Sequence, residues 1–262
     1  MFTSSDRSGT FKKMQKHEIR RMRLETRRRS LTVARIEHIT SRMVRVTFTS
    51  NELVDFSSPA HDDHIKVFFP AQGEQQNLRD FTPRAFDVDA GTLVVDFALH
   101  EDGPSMQWVS SVQVGETIEI GGPRGSTVVP DDFDWYLLVG DETALPAIGR
   151  RVEELRIGVP VTTVITIADA AEKQVWQTPA SWNPIWILRN ETTADDVSVL
   201  RTSLADCSMP PGDGMVWIAA ETSVARAVYE HMLNDRHHPR AWIKAAGYWT
   251  RDHSNSHERI GD

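Results

Sequence analysis

The chain has 262 residues and a mass of 29.6 kDa, and its 40% hydrophobic content is enough for one large or two modest cored domains. With 29 Lys+Arg against 37 Asp+Glu the net charge is −8, which excludes a molecule that meets nucleic acid or anionic membrane through its overall field. Cys207 is the only cysteine, which excludes an internal disulfide, a cysteine-ligated iron–sulfur cluster and a Cys-rich zinc site, and suits a reducing cytoplasm.

Residues 1–29 hold ten Lys/Arg and three Asp/Glu, a local +7, which leaves 19 basic and 34 acidic residues, a net −15, for residues 30–262. This opening segment reads as a flexible, solvated basic tail; a basic arm that touches nucleic acid or anionic lipid is the alternative, without the aromatic interleaving or motif that would strengthen it. Its part from 12 to 29 lacks Gly and Pro and is compatible with helix, but Met14, Ile19, Met22 and Leu24 form no apolar stripe. Short Val-, Ile-, Thr- and Phe-rich segments bounded by turn residues follow at 31–39, 43–49, 64–69, 92–99 and 116–120, as expected of antiparallel strands in a barrel or sandwich. One helix is expected among them, at 105–112. Past Pro130 the rhythm changes to strands at 135–139, 161–168, 184–188, 215–220 and 241–245 alternating with helices at 144–155, 194–205 and 223–236. That alternation predicts a parallel sheet with covered faces and ligands at the carboxyl ends of its strands. A boundary is placed near residue 130, between an antiparallel β-barrel domain (30–130) and an α/β domain (131–246), with a terminal segment at 247–262. There is no apolar run of the roughly 18 residues a membrane-spanning helix needs, and no secretory h-region.

Three stretches carry chemistry. Arg79-Asp80-Phe81-Thr82-Pro83-Arg84 sets two guanidinium groups around an aromatic ring and a hydroxyl. In an extended segment Phe81 would lie against a planar ligand while Arg79 and Arg84 grip phosphate; a charged turn ended by proline is the plainer alternative. His100-Glu101-Asp102-Gly103-Pro104-Ser105 ends a strand and opens a helix, with Ser105 expected as its cap and free N–H groups facing a phosphate, although an ordinary turn has the same composition. Gly121-Gly122-Pro123-Arg124-Gly125-Ser126 reads as a loop between domains whose glycines admit a ligand and whose Arg124 supplies charge. The third stretch, Leu137 to Ile148, runs from a buried strand through Gly140-Asp141-Glu142-Thr143-Ala144 into a helix. It stands where a nucleotide cofactor should sit, without the Gly-x-Gly-x-x-Gly fingerprint. Asp141 and Glu142 would repel a pyrophosphate, so ribose or adenine groups are the expected contacts, with the Thr143 hydroxyl capping the helix.

Together, in this order, these stretches resemble the siderophore-interacting protein family, flavin-dependent ferric-siderophore reductases related to ferredoxin-NADP reductases. The resemblance runs from about Leu31 to the C-terminus. It includes Asp63-His64-Ile65-Lys66-Val67-Phe68-Phe69-Pro70, Arg79 to Asp87, His100 with Gly103-Pro104, Gly122-Pro123-Arg124-Gly125, Gly140 to Ile148 and Gly247-Tyr248-Trp249. The Gly-Asp-Glu-Thr-Ala-Leu-Pro-Ala-Ile run is its specific part.

The resemblance implies a β-barrel FAD-binding domain followed by an α/β NAD(P)H-binding domain. Arg79, Phe81, Thr82 and Arg84 match the flavin motif, with Phe81 where tyrosine is common; Gly103, Pro104 and Ser105 match the segment around the FAD pyrophosphate, with His100 nearby. Asp141, Thr143 and Ala144 match the first turn of the nicotinamide-nucleotide domain, and Tyr248 and Trp249 match terminal aromatics near the flavin. Lys66, Arg124 and Arg251, with Lys244 as a weaker fourth, are candidates for a basic patch that receives an anionic ferric chelate. Ala219-Ala220-Glu221 replaces a more usual Ala-Gly-Glu, and Tyr229 stands where a second arginine beyond Arg226 is common, so the choice between NADH and NADPH stays open.

The implied reaction passes electrons from NAD(P)H through FAD to siderophore-bound Fe(III), with no side chain acting as nucleophile or general base. The expected partner is a ferric siderophore, with neither nucleic acid nor membrane insertion, in a monomer or weak dimer. A flavin reductase serving a protein carrier, and a binding protein that holds the chelate without reducing it, are the alternatives. Ten histidines invite a metal reading, but His61 and His64 flank two aspartates and the His253/His257 pair spans poor helix formers, so no resident metal is expected.

Overall fold

Val44, Val46 and Phe48 are buried in alternation, as are Ile65, Val67 and Phe69, the period of pleated strands with one face on a core. The computed structural model describes residues 16–72, 75–99, 103–251 and 258–261. In its first half the chain forms β1 (Arg20–Arg23), β2 (Arg28–Thr40), β3 (Met43–Thr49), β4 (Ile65–Gln72), β5 (Gln75–Phe81), β6 (Pro83–Asp87), β7 (Thr92–Ala98), helix α1 (Pro104–Ser111), β8 (Thr117–Gly121) and β9 (Gly125–Val128). Seven of these strands make one antiparallel sheet in the order β5-β4-β8-β2-β3-β7-β6. Its two edge strands are joined through Thr82 alone, so the sheet curls on itself around Leu31, Phe48, Phe69 and Phe97, with Trp108 and Val109 of α1 packed against the same core.

The second half forms β10 (Trp135–Gly140), α2 (Leu145–Glu154), β11 (Pro160–Ile167), β12 (Ser181–Leu188), α3 (Asp196–Asp206), β13 (Gly214–Glu221), α4 (Thr222–Glu230), β14 (Ile243–Trp249) and β15 (Glu258–Ile260). The sheet order is β12-β11-β10-β13-β14-β15, parallel except for β15. Every residue of β10 and β13 is buried, because helices or the barrel cover both faces. β11 and β12 lie on one side of β10 and β13 and β14 on the other, so the strand order reverses at β10 and opens a crevice at its carboxyl end. Gly140 ends that strand. A Cβ there would stand 2.6 Å from Ala144 Cβ and 2.7 Å from the Ala219 carbonyl oxygen, so only glycine lets the following helix come this close.

Several elements differ from the sequence expectation. Residues 16–29 are neither helical nor detached: β1 pairs with β9, and Arg28 and Arg29 already belong to β2. His17 is buried between Asp132 and Asp213, at 2.7 and 3.1 Å, and stacks on Phe133 at 4.0 Å. Lys16, Arg27, Arg28 and Arg29 pair with Asp213, Asp55, Glu119 and Asp55. The charge that argued for solvation is neutralised by acids of the body instead. Residues 1–15 of the expected tail lie outside the described residues. Segments 75–81, 83–87 and 125–128 are strands whose polar composition hid them, because they complete sheet edges or a two-stranded ribbon. The helix expected to reach 236 gives way after Glu230 to a π-helical turn, His231–Asp235. β14 runs on to Trp249, which carries Gly247-Tyr248-Trp249 into the sheet.

The halves share apolar and polar contacts. Met43 and Val129 join the core beneath α2. Glu172 accepts hydrogen bonds from the Thr40 hydroxyl, the Ser41 hydroxyl at 2.6 Å and the Arg42 amide at 3.1 Å. The Arg150 guanidinium donates to the Ser58 hydroxyl, the Ser58 carbonyl and the Pro83 carbonyl at 2.6–3.0 Å.

Candidate functional site

The crevice at the end of β10 is organised by one carboxylate. Asp141 Oδ1 accepts the Thr143 amide at 2.9 Å and the Thr143 hydroxyl at 2.6 Å, while Oδ2 accepts the Glu221 amide at 3.0 Å and the Trp249 indole N–H at 2.9 Å. It thereby joins the carboxyl ends of β10, β13 and β14. Asp141, not the Thr143 hydroxyl, caps the turn, because a carboxylate just before the first N–H groups is the stronger acceptor. Glu142 pairs with Arg189, and Ala144 is fully buried under Gly140. The acidic pair that would repel a nucleotide is therefore occupied inside the protein.

The end of β14 is pinned residue by residue. The half-buried Tyr248 ring stands edge-on to Trp217 at 6.1 Å with its phenol towards the Thr82 hydroxyl, and burial pushes its pKa well above the ordinary value, so it stays neutral. The Thr222 hydroxyl donates to the Trp249 carbonyl at 3.0 Å and lies 2.8 Å from the Thr250 hydroxyl. The Arg251 amide meets Glu221 Oε1 at 3.4 Å. Through Thr82 this strap reaches the barrel motif, where the half-buried Phe81 ring leans on Phe97 at 4.6 Å and Phe69 at 5.9 Å. Arg79 lies two residues before Phe81, on the same face of β5 as the ring, and donates to the Leu78 carbonyl at 2.7 Å.

Arg84 is not brought to this group. It lies buried on β6, where its guanidinium pairs with Glu153 at 2.7 Å and stands 3.8 Å from Asp96. Gly103, not Ser105, is the N-cap of α1; Pro104 takes the first helical position and Ser105 the second, as proline's fixed φ favours. Among the described residues no side chain caps this helix, and a Cβ on Gly103 would meet nothing within 4 Å. His100 lies outside the described residues.

Of the four cations expected to meet substrate, Lys66 and Lys244 are paired with carboxylates. Lys66 Nζ meets Asp80 at 2.7 Å. Lys244 Nζ meets Asp62 at 2.7 Å and donates to the Thr127 carbonyl at 3.1 Å, while the Trp217 indole donates to Asp62 at 2.9 Å. Burial raises the Asp62 carboxyl, but Lys244 beside it wins and holds it below the usual range. Arg124 and Arg251 are exposed, and among the described residues their side chains have no carboxylate partner. Three of the four converge on residues 121–128: Lys66 is in register with Gly121, Arg124 lies within the stretch, and Lys244 bonds to Thr127. Neighbouring His61, against Trp217 and 3.0 Å from the Ala147 carbonyl, is driven by burial to a pKa of about 3 and stays neutral. Asp62 and Trp217 had no sequence signal for these roles, since their partners lie far along the chain, Asp62 and Lys244 being 182 positions apart, while Glu221 was visible only as part of the Ala219-Ala220-Glu221 run.

A half-covered aromatic face, a nearby guanidinium and a helix N-terminus that no described side chain caps fit a flat ring system that carries a diphosphate. The sequence profile of siderophore-interacting FAD-binding domains matches residues 32–78 and 73–127, and that of the siderophore-interacting protein matches residues 133–252. The NADPH-dependent ferric-chelate reductase of Escherichia coli (strain K12) is 30% identical over 87% of this chain and 95% of its own length. The ferric vibriobactin reductase ViuB of Vibrio cholerae is 25% identical, over 85% of this chain and 89% of its own. The crystal structure of a siderophore utilization protein from T. fusca superposes with a TM-score of 0.83 at 31% identity, covering 91% of this chain and 98% of that one.

Proposed function

The chain belongs to the siderophore-interacting protein family, and on that premise we propose that it is a cytoplasmic reductase that passes electrons from NADPH through FAD to siderophore-bound Fe(III), releasing Fe(II). The observation that carries this reading is the tie of the Tyr248-Trp249 strap to Asp141, at the carboxyl ends of β10 and β13, with the Tyr248 phenol turned towards Thr82 of the Phe81-Thr82 segment. It joins a flavin motif to the crevice at the ends of β10 and β13.

FAD supplies the conversion of a two-electron hydride into single electrons, which Fe(III) requires. Phe81 would support the flat ring, and Arg79 with the amides of Ser105 and Met106 would hold the diphosphate. Tyr248 and Trp249 wall the crevice, with Asp141 fixing the indole. Thr143 and Ala144 form the turn against which NADPH would lie, Thr143 through its backbone because its hydroxyl is given to Asp141. Arg84 acts on this site from a distance, by tying β6 to α2. Toward the chelate, Arg124 and Arg251 have no carboxylate partner among the described residues, while Lys66 and Lys244 are partly neutralised by their carboxylates. One-electron reduction of the bound Fe(III) to Fe(II) weakens its binding by hard oxygen ligands, which frees the metal.

The test is an anaerobic titration of the FAD-loaded protein with NADPH, then with a ferric siderophore and an Fe(II) trap. Flavin bands that bleach with NADPH and return as trapped Fe(II) appears are expected. Failure to bind FAD, or a bleached flavin that no ferric chelate reoxidises under these conditions, would overturn the reading.

A further inference from the structure

The flavin motif changes strand at its centre. β5 ends at Phe81 and β6 begins at Pro83; Pro83 is in register with Val95 and Ala85 with Val94, so Arg84 is the extra residue of a β-bulge. Proline brings no N–H to the ladder, and the bulge interrupts the pairing beside it. Support comes from the other half of the molecule. Arg150 of α2 donates to the Pro83 carbonyl at 3.0 Å, to the Ser58 hydroxyl at 2.9 Å and to the Ser58 carbonyl at 2.6 Å. Its Nε donates to Glu154 at 2.7 Å, and the buried guanidinium lies over the Phe86 ring at 5.7 Å. About one turn further along, Glu153 holds the bulged Arg84 at 2.7 Å. The loop that carries Ser58 docks on the same helix again where His61 Nδ1 stands 3.0 Å from the Ala147 carbonyl. The amino end of α2 is the nucleotide turn: Ala144, under Gly140, is its N-cap, and Arg150 follows about 9 Å along the axis. The nucleotide turn and the grip on the flavin motif are therefore two ends of one short helix.

We propose that Arg150 is a positioning residue for the flavin: from the nucleotide half it fixes the Phe81-Thr82 segment, and so sets how the flat ring stands against the turn at the amino end of α2. The proposal rests on the reductase reading above. A guanidinium suits the task because its planar fork serves several acceptors at once and stays charged when buried; Nε, Nη1 and Nη2 are all engaged here. Ser58 and Pro83 are themselves buried, so without the fork their polar atoms lose a donor that water cannot readily replace. The Thr82-Pro83 link then gains freedom that FAD must remove on binding. Arg150 acts on Phe81 through the backbone, which places it behind the site and not in it.

The test compares wild type with Arg150→Lys, which keeps a charge beside Glu154 but cannot reach Ser58 and Pro83 together, and with Arg150→Met. Val152→Ala opens a cavity in the core on the same helix and leaves the fork intact, so it measures what lost stability does by itself. In a flavin-fluorescence titration of protein freed of flavin, Arg150→Lys should bind FAD with a Kd about threefold to tenfold higher than wild type, and Arg150→Met at least as weakly. Val152→Ala should bind FAD as wild type does despite a lower Tm. With FAD saturating, the limiting rate at which NADPH bleaches the flavin should fall in Arg150→Lys, while the NADPH concentration giving half that rate stays unchanged. The lysine variant decides where the methionine variant does not fold. An FAD affinity in Arg150→Lys equal to that of wild type, or a loss matched by Val152→Ala, would overturn the proposal while leaving the reductase reading intact. A wild type that binds no FAD would remove both together, and only that outcome touches the reading it rests on.

Discussion

Lys244→Met would remove the ammonium that faces Asp62 across the junction of the two sheets, leaving a carboxylate only 10% exposed with the Trp217 indole as its remaining donor. Stripping one partner from a buried pair costs about 3–5 kcal/mol, and Lys244, at 25% exposure, is partly screened, so a loss of about 2–4 kcal/mol is expected. For a chain of this size that lowers Tm by roughly 5–12 °C. Adding Asp62→Asn should restore at least half of the loss, because the cost lies in the orphaned charge and not in missing contact area. The pH dependence has a definite sign. Burial raises the Asp62 carboxyl and Lys244 pulls it below its ordinary value, so the pair's stabilisation is present at neutral pH and fades as pH falls below about 4. In Lys244→Met the dominant opponent of burial is gone and the Trp217 indole remains, so proton uptake by Asp62 on acidification begins at a higher pH. Urea unfolding followed by circular dichroism at neutral and mildly acid pH measures both effects. A single variant within about 0.5 kcal/mol of wild type, or a double variant no more stable than the single, would refute the reasoning.

Other consequences are equally direct. His61→Gln should flatten the acid limb of the stability curve: the native imidazole stays neutral down to about 3 while the unfolded one takes a proton near 6.5, so wild-type stability falls by about 1.4 kcal/mol per pH unit between those values. Unfolding free energies measured between those two pH values check it, and an unchanged slope would exclude His61 as the source. Gly140→Ala should cost about 1–3 kcal/mol in a denaturant titration, since the added methyl meets Ala144 and the Ala219 carbonyl; a neutral result would mean that the β10–α2 turn can open. Phe81→Ala should weaken FAD binding about tenfold in a flavin-fluorescence titration, whereas Phe81→Tyr should retain it, because the ring face and not a hydroxyl carries the contact.

Much of the architecture was legible before any coordinates. Period-two burial in 43–49 and 65–69 reads as strand, and the continuous apolar runs of β10 and β13 read as a buried parallel sheet, because hydrophobic periodicity is a local property of the sequence. The flavin motif and the turn after Gly140 were visible for a related reason: each is contiguous, so its chemistry is written in neighbouring letters. Partnership between distant residues was not. That Asp141 holds the Trp249 indole, that Asp62 meets Lys244, and that Arg84 turns to Glu153 depend on which strand ends the topology brings together. The same holds for β1, β5, β6 and β9, whose polar sequences are ordinary coil by propensity and become strands only because a neighbouring edge offers unpaired N–H and C=O groups. Composition alone made residues 16–29 look like a solvated tail; only the tertiary structure placed acids opposite its bases and paired 20–23 with 125–128 as a strand.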